Sequence, residues 1–411
     1  MNVDLRSRRT CLREADNYRL GEEAAKIVSE AVDKREHRIV KAEEETRHYS
    51  EWSREEAFPL SFLLMKRKEG KTSPLTLFRL PGRHNYIPKE SDLQFLGSCL
   101  LVGWTPLLEL NNIVEKDRLH IRLVAKLESY QPLCSVKDRG ALRMIEDAEE
   151  KELITPGITT LVGPTSGNLG IALAFIAIRK GYKFIAIMPA NYSLERRMLL
   201  RHLGAHVILT DPKVGVKGIF DVADQLTEKD PNLFVLDQTT NPANPEAHFL
   251  STGPEIWKDT AGKVDIFVCG SGSGGTITGA ARFLKMKNPA IKVICVEPAE
   301  SAVISGGEPG PHGIQGLGPG FVPEILDICL IDEIITVTTE DALAYARRLA
   351  LEEGLVMGIS SGAALVACLK IAKREENHGK MIVTVFPSAG ERYLSTELFA
   401  DIREECINMT F

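Results

Sequence analysis

Gly270-Ser271-Gly272-Ser273-Gly274-Gly275-Thr276 follows the apolar run Val264–Cys269 and precedes a segment with helical spacing. Glycines let the backbone approach an anion, and the free N–H groups of a helix start point at it. Ser273 and Thr276 add hydroxyl donors. No lysine follows the last glycine, as a Walker loop would require. Nor does this turn form a G-x-G-x-x-G dinucleotide fingerprint in a first βα unit. A monophosphate group suits it; a tight structural turn is the alternative. A second polar turn, Pro164-Thr165-Ser166-Gly167-Asn168, also links an apolar run to a helical segment. Its short side chains and free amides could hold a carboxylate or a phenolate oxygen. They would serve equally as an N-cap cluster.

Lys137 sits in Ser135-Val136-Lys137-Asp138-Arg139, close before the amphipathic segment Ala141–Glu150. A lone lysine is usually a solvated surface residue. In a chain that already carries a monophosphate turn, a lysine points instead to pyridoxal phosphate held as a Schiff base. Gly358-Ile359-Ser360-Ser361-Gly362-Ala363-Ala364 opens a strongly apolar helix. Taken alone it reads as a serine-capped core helix.

These turns need elements to hold them. Apolar, β-branched runs recur at Thr160–Val162, Phe184–Met188, Val207–Leu209, Leu233–Leu236, Val264–Cys269, Val293–Val296, Ile334–Val337 and Ile382–Phe386. Helical spacing fills many of the gaps, as at Asn168–Tyr182, Leu194–Leu203, Thr276–Met286 and Asp341–Glu353. Alternating strand and helix implies α/β architecture with parallel sheets covered by helices. There are too many strands for one small sheet, so two open-sheet lobes are expected, over residues 95–240 and 241–411. The break falls near Asn241-Pro242-Ala243-Asn244-Pro245. Residues 1–94 form a charged extension, read as disordered or loosely helical near Glu22–Glu45.

Composition narrows the function classes. The chain has 411 residues, 44% hydrophobic and 26% charged, with a formal net charge of -6. An acidic balance disfavours nucleic acid as a partner, and no apolar run reaches the roughly 18 residues that span a bilayer. None of the eight cysteines forms a C-x-x-C pair, so no metal site is expected. The start lacks the apolar core of a secretory signal, and residues 1–60 carry 14 acidic and 12 basic side chains, unlike a transit peptide. A cytoplasmic address is the expectation.

From Gly103 to Phe411 the chain resembles the cysteine synthase and β-cyanoalanine synthase family. These are the O-acetylserine sulfhydrylases of fold-type II pyridoxal phosphate enzymes. The motifs already quoted carry the resemblance, with Gly390-Glu391-Arg392-Tyr393-Leu394-Ser395 added; Thr252-Gly253-Pro254-Glu255-Ile256-Trp257 and Val296-Glu297-Pro298 look plant-type. It implies a tryptophan synthase β-like fold with the cofactor in the cleft between the lobes, and a homodimer. Lys137 looks like the Schiff-base lysine and the base for the α-proton. Asn168 matches the partner of the cofactor phenolate. Thr165, Ser166, Gly167, Leu169 and Gln238 match the substrate site. Gly272, Ser273, Gly274, Gly275 and Thr276 match the phosphate cradle, and Ser360 the partner of the pyridine nitrogen. A hydroxyl at that nitrogen leaves the ring a weaker electron sink than an Asp would, which suits β-elimination. The implied reaction converts O-acetyl-L-serine and sulfide to L-cysteine. The alternatives are cyanoalanine formation, cysteine desulfhydration, or a weakly active paralogue serving as an interaction protein.

The chain departs from the family at several positions. Leu169 stands where a threonine is usual, which favours cyanide as acceptor, whereas Ala364 looks like the cysteine synthases. Trp104 replaces an asparagine expected near the substrate end of the site, and Gly163 replaces an acidic residue. In Glu308-Pro309-Gly310-Pro311-His312-Gly313, relatives often carry lysines where this chain has Glu308 and Gly313. Only weak binding of a serine acetyltransferase tail is therefore expected.

Overall fold

The computed structural model describes residues 98–410 apart from Ser166. The expected extension 1–94 lies outside the described residues. The described residues fall in one compact unit. Ten strands are described: β1 Leu107–Glu109, β2 Arg122–Leu127, β3 Thr160–Pro164, β4 Lys183–Pro189, β5 His206–Thr210, β6 Leu233–Val235, β7 Ile266–Gly270, β8 Lys292–Pro298, β9 Glu333–Val337 and β10 Met381–Phe386. Eleven α-helices accompany them: α1 Asn111–Lys116, α2 Lys137–Glu150, α3 Asn168–Lys180, α4 Leu194–His202, α5 Gly215–Thr227, α6 Ala243–Ala247, α7 Gly253–Asp259, α8 Gly275–Lys287, α9 Thr339–Glu353, α10 Ile359–Ala372 and α11 Ala400–Ile407. A π-helical turn, His248–Thr252, joins α6 to α7.

The strands form two sheets, ordered β1-β2-β10-β7-β8-β9 and β5-β4-β3-β6. Only β1 runs antiparallel to its neighbour; every other pairing is parallel. Parallel sheets covered on both faces need strands that are apolar throughout. Along β7, Ile266 and Val268 enter one core while Phe267 and Cys269 enter another. In β3, Leu161 and Val162 likewise face opposite cores. This explains the continuous apolar runs in the sequence.

All eight expected strands are present, within a residue or two of their expected ends. Two more, β1 and β2, precede them and join the larger sheet through β10. A cut near residue 240 therefore does not separate the sheets: the smaller one draws its strands from residues 160–235. The segment expected to break regular structure at 241–245 instead begins the α6 and π-helical run.

Both sheets have a point where strand order reverses, and ligands of open parallel sheets bind there, beyond the carboxyl ends. In the larger sheet the reversal lies between β7 and β10; in the smaller it lies between β3 and β6. The glycine turn follows β7, the Pro164–Asn168 turn follows β3 and Gln238 follows β6. Residues of all three segments line one cleft.

Candidate active site

A cleft of about 470 Å3 opens there, within the size range of small-molecule sites. Lys137, Thr165, Asn168, Gln238, Gly272, Ser273, Gly274, Thr276 and Ser360 line it. Gly167, Leu169 and Gly275 lie behind the wall, and Ser166 is outside the described residues.

Lys137 begins α2 rather than preceding a helix that starts at Ala141. Its Nζ donates to Ser273 Oγ at 3.4 Å. Desolvation pushes the amine down to about 8, so a minority of it is already neutral near physiological pH, far more than for an ordinary lysine. The next residue, Asp138, is buried and accepts the Leu133 amide at 2.7 Å, pinning the turn before the helix. Its other carboxyl oxygen has no partner among the described residues, and burial lifts the group to about 7.

Arg139 enters a buried ionic cluster. It donates to both oxygens of Glu128 at 2.8 and 2.9 Å and to both of Glu255 at 2.6 and 2.7 Å. Lys126 pairs with Glu255 at 2.7 Å. Two cations and two carboxylates thus cancel, and Thr105, Gln131 and Ser251 fill further hydrogen-bond positions. Burial alone would raise the Glu128 carboxyl, but the neighbouring Arg139 and Lys126 charges outweigh it and hold it at about 2. The cluster joins β2, α2 and α7 and so fixes the base of the lysine-bearing helix.

The glycine loop presents its backbone to the cleft. Among the described residues, the amides of Gly272, Ser273 and Gly274 donate to no protein acceptor, and α8 begins at Gly275 with the unsatisfied N–H groups of any helix start. A Cβ at residue 272 would lie 2.2 Å from the Gly316 carbonyl oxygen, so only glycine lets the facing loop close in. Asn244 supports the loop from behind, donating from Nδ2 to Ser273 Oγ at 3.0 Å and to the Gln238 carbonyl at 2.7 Å. His248 bridges Thr276 Oγ1 at 3.1 Å and Thr252 Oγ1 at 2.7 Å. Burial, reinforced by Arg139, lowers this imidazole to about 3, so it is neutral. Neither Asn244 nor His248 was legible in the sequence: Asn244 sits in the segment that its prolines mark as a linker, and His248 follows shortly after it.

Thr165 does part of what an N-cap does, its Oγ1 accepting the Gly167 and Gly170 amides at 3.0 and 2.9 Å. Its hydroxyl proton stays available for a ligand. Gln238 has a buried Oε1 without a partner among the described residues. Ser360 is not a cap; Gly358 holds that position and makes no side-chain cap bond. The Ser360 side chain lines the cleft and makes no hydrogen bond among the described residues.

Two residues read from the sequence as near the substrate do not line the cleft. Leu169 is 1% exposed inside the core of the smaller sheet and touches no cleft wall. The helix start turns it inward, into the core. Trp104 is also absent from the cleft lining: it is 37% exposed, with Lys258 Nζ 4.6 Å from its ring.

A family profile described as "Pyridoxal-phosphate dependent enzyme" matches residues 99–388. The chain belongs to the pyridoxal-phosphate dependent enzymes. It is 51% identical to cysteine synthase 3 of Caenorhabditis elegans over 75% of this chain and 91% of that one. It is 49% identical to cysteine synthase A of Salmonella typhi over 75% and 96%. Among solved structures it resembles a cysteine synthase of Entamoeba histolytica, at TM-score 0.72 and 39% identity, covering 82% and 100%. It also resembles O-ureido-L-serine synthase, at TM-score 0.71 and 43% identity, covering 74% and 95%.

The site fits the cofactor of this family. Undonated loop amides and the α8 start suit a phosphate, a partly neutral lysine suits an aldehyde, and Ser360 offers a hydroxyl to a ring nitrogen. Among the described residues no group of metal-ligating side chains occurs, and no helix is long and apolar enough to cross a membrane.

Proposed function

We propose that this chain is a cysteine synthase, replacing the acetoxy group of O-acetyl-L-serine by sulfide to give L-cysteine. The observation that carries the reading is Lys137, its amine 3.4 Å from Ser273 of the anion-binding loop in a cleft shared with Thr165, Gln238 and Ser360. Identity near one half to curated cysteine synthases along nearly their whole length supports it.

Bound pyridoxal phosphate supplies an electron sink for the pair left when the substrate Cα–H bond breaks. The chain supplies the rest. Gly272, Ser273, Gly274, Gly275 and Thr276 hold the phosphate through amides and the Thr276 hydroxyl. Thr165, Ser166 and Gln238 hold the substrate carboxylate, with Gly167 shaping that turn. Asn168 would sit beside the phenolate oxygen and Ser360 beside the pyridine nitrogen. Lys137 takes the α-proton as acetate leaves the β-carbon, and returns a proton to Cα after sulfide has added to Cβ. We also place the protein in the cytoplasm as a homodimer. Helix α11 buries none of its residues and exposes Ile402 and Ile407, which suits a partner subunit.

The test compares three reactions of the purified protein: O-acetylserine with sulfide, cysteine with cyanide, and cysteine alone. The first should be fastest by kcat/KM. A faster second or third reaction would assign the site to cyanoalanine synthesis or desulfhydration instead. A protein that stays colourless after reconstitution with pyridoxal phosphate would remove the reading altogether.

A further inference from the structure

Two arginines surround the carboxamide of Asn168. Arg392, on the 3-10 turn Gly390–Tyr393 beyond β10, donates from Nη1 to Asn168 Oδ1 at 3.0 Å. Arg196, on α4, donates from Nε to the same oxygen at 3.5 Å and from Nη1 to Gln315 Oε1. The rings of Tyr393 and Tyr192 lie 5.0 and 5.9 Å from the Arg196 guanidinium carbon. A Cβ at residue 167 would fall 2.2 Å from Arg196 Cδ, and φ there is +117°; glycine is what admits this arginine beside the start of α3. Arg196 and Arg392 are 2% and 5% exposed, and neither makes an ion pair among the described residues. Two buried cations converge on one amide oxygen, and the carboxyl of Asp138 acts on Arg392 without forming a contact ion pair.

A guanidinium can only donate. It therefore decides which way the carboxamide is flipped, a question that electron density or packing often leaves open. The oxygen must face the arginines. The amide nitrogen is then directed away from them, has no partner among the described residues, and belongs to a side chain that lines the cleft. We infer that Arg392 is a positioning residue for the reaction, holding the Asn168 carboxamide so that its NH2 is presented to the anionic phenolate oxygen of the cofactor. This rests on the placement of that oxygen beside Asn168 proposed above. Without Arg392 the amide is free to turn over and set its own carbonyl against the phenolate, acceptor against acceptor.

The contact also crosses the cleft. Asn168 opens a helix of the smaller sheet, whereas Arg392 follows the central strand of the larger one. Ser193 Oγ donates to the Arg392 carbonyl at 3.0 Å and Ser395 Oγ to Glu195 at 2.7 Å, fastening the arginine turn to the start of α4. Donation to the phenolate thus depends on how the two sheets meet.

A hydrogen bond to the phenolate favours its charged form and lowers its proton affinity. The experiment is a pH titration of cofactor absorbance in holoenzyme carrying Arg392→Met, Asn168→Ala or both, with pyridoxal phosphate affinity measured alongside. In the single variants the visible band of the phenolate should give way to the near-ultraviolet band of the protonated phenol. The midpoint should rise by on the order of one pH unit, the scale of losing one hydrogen bond to an anion. The double variant should move no further than Asn168→Ala alone, because both changes remove the same donor. Arg392→Gln, a milder change for a buried position, carries the same expectation at smaller amplitude and serves if Arg392→Met does not fold. A titration unchanged in the arginine variants but shifted in Asn168→Ala would overturn the role of Arg392 and leave the placement of Asn168 standing. Additive shifts in the double variant would overturn it too. A titration unchanged in Asn168→Ala would overturn both.

Discussion

Lys137 shows how burial turns an ordinary side chain into a reagent. Its amine is pushed down to about 8 because the cleft floor solvates an ammonium poorly. Only the neutral amine can attack an aldehyde. Uptake of pyridoxal phosphate by the apoprotein should therefore accelerate with rising pH and level off above a midpoint near 8. Stopped-flow absorbance measures this directly, and a midpoint near that of a free lysine would refute the shift. Lys137→Ala should take up no covalent cofactor and lose turnover. Leu169 illustrates the opposite error of reading a residue by its neighbours in sequence. It follows Asn168, yet the helix turns it into the core. Leu169→Thr places a hydroxyl at a fully buried position and removes apolar bulk. A loss of about 1–3 kcal/mol is expected, with the ratio of sulfide to cyanide reaction unchanged. Chemical denaturation and the two assays separate these effects; a shifted ratio at unchanged stability would return Leu169 to the substrate site.

Among the elements, those with periodic apolar patterns were the readable ones. β3 to β10 announce themselves because parallel strands buried on both faces are apolar throughout. Helices α3, α4, α8 and α9 show their spacing for the usual amphipathic reason. β2 was missed because Lys126 interrupts its apolar run, and the charge of this buried lysine is met by Glu255, more than a hundred residues away. The run from α6 through the π-helical turn was missed because prolines at 242 and 245 resemble a linker. The site divides in the same way. Gly272 to Thr276, Asn168 and Lys137 lie on turns whose chemistry is local. Arg196, Arg392, Asn244 and His248 act through contacts that only the fold creates. The ionic cluster under α2 gives this a measurable form. Replacing Glu255 by Gln leaves Arg139 and Lys126 with a single buried carboxylate between them. A loss of about 3–5 kcal/mol in unfolding free energy is expected, the usual consequence of breaking a buried pair from one side. The acid limb follows from the sign of the Glu128 shift. Its folded-state value of about 2 lies below the usual 4.5, so its contribution is complete above pH 4.5 and is lost as pH falls towards 2. A Glu255→Gln protein as stable as the parent in urea titrations would show that the cluster contributes little.

At the scale of the whole molecule, the cleft mouth decides what can enter. The segment 310–319 forms one wall, with His312 Nε2 placed 2.9 Å from the Gly318 carbonyl and the Gly313 amide donating to Thr339 Oγ1 at 2.9 Å. Glu308 precedes this wall and is exposed. Gly313 is not an open rim position, because a Cβ there would meet Thr339 Cγ2 at 2.5 Å. A lysine at 313 would disturb the wall, so the charge test belongs to Glu308 alone. A peptide tail ending in a carboxylate, such as that of serine acetyltransferase, would approach this mouth against the charge of Glu308. Repulsion between exposed like charges acts mainly on association and is screened by salt over roughly 8 Å at physiological ionic strength. Glu308→Lys should therefore bind the tail peptide more tightly than the unaltered chain, through a faster on-rate and at a nearly constant off-rate. The gain should shrink as salt is raised. Surface-bound kinetics at two ionic strengths would read all three quantities. Tight binding by the unaltered chain, or a gain carried by the off-rate and indifferent to salt, would show that Glu308 does not guard the entrance.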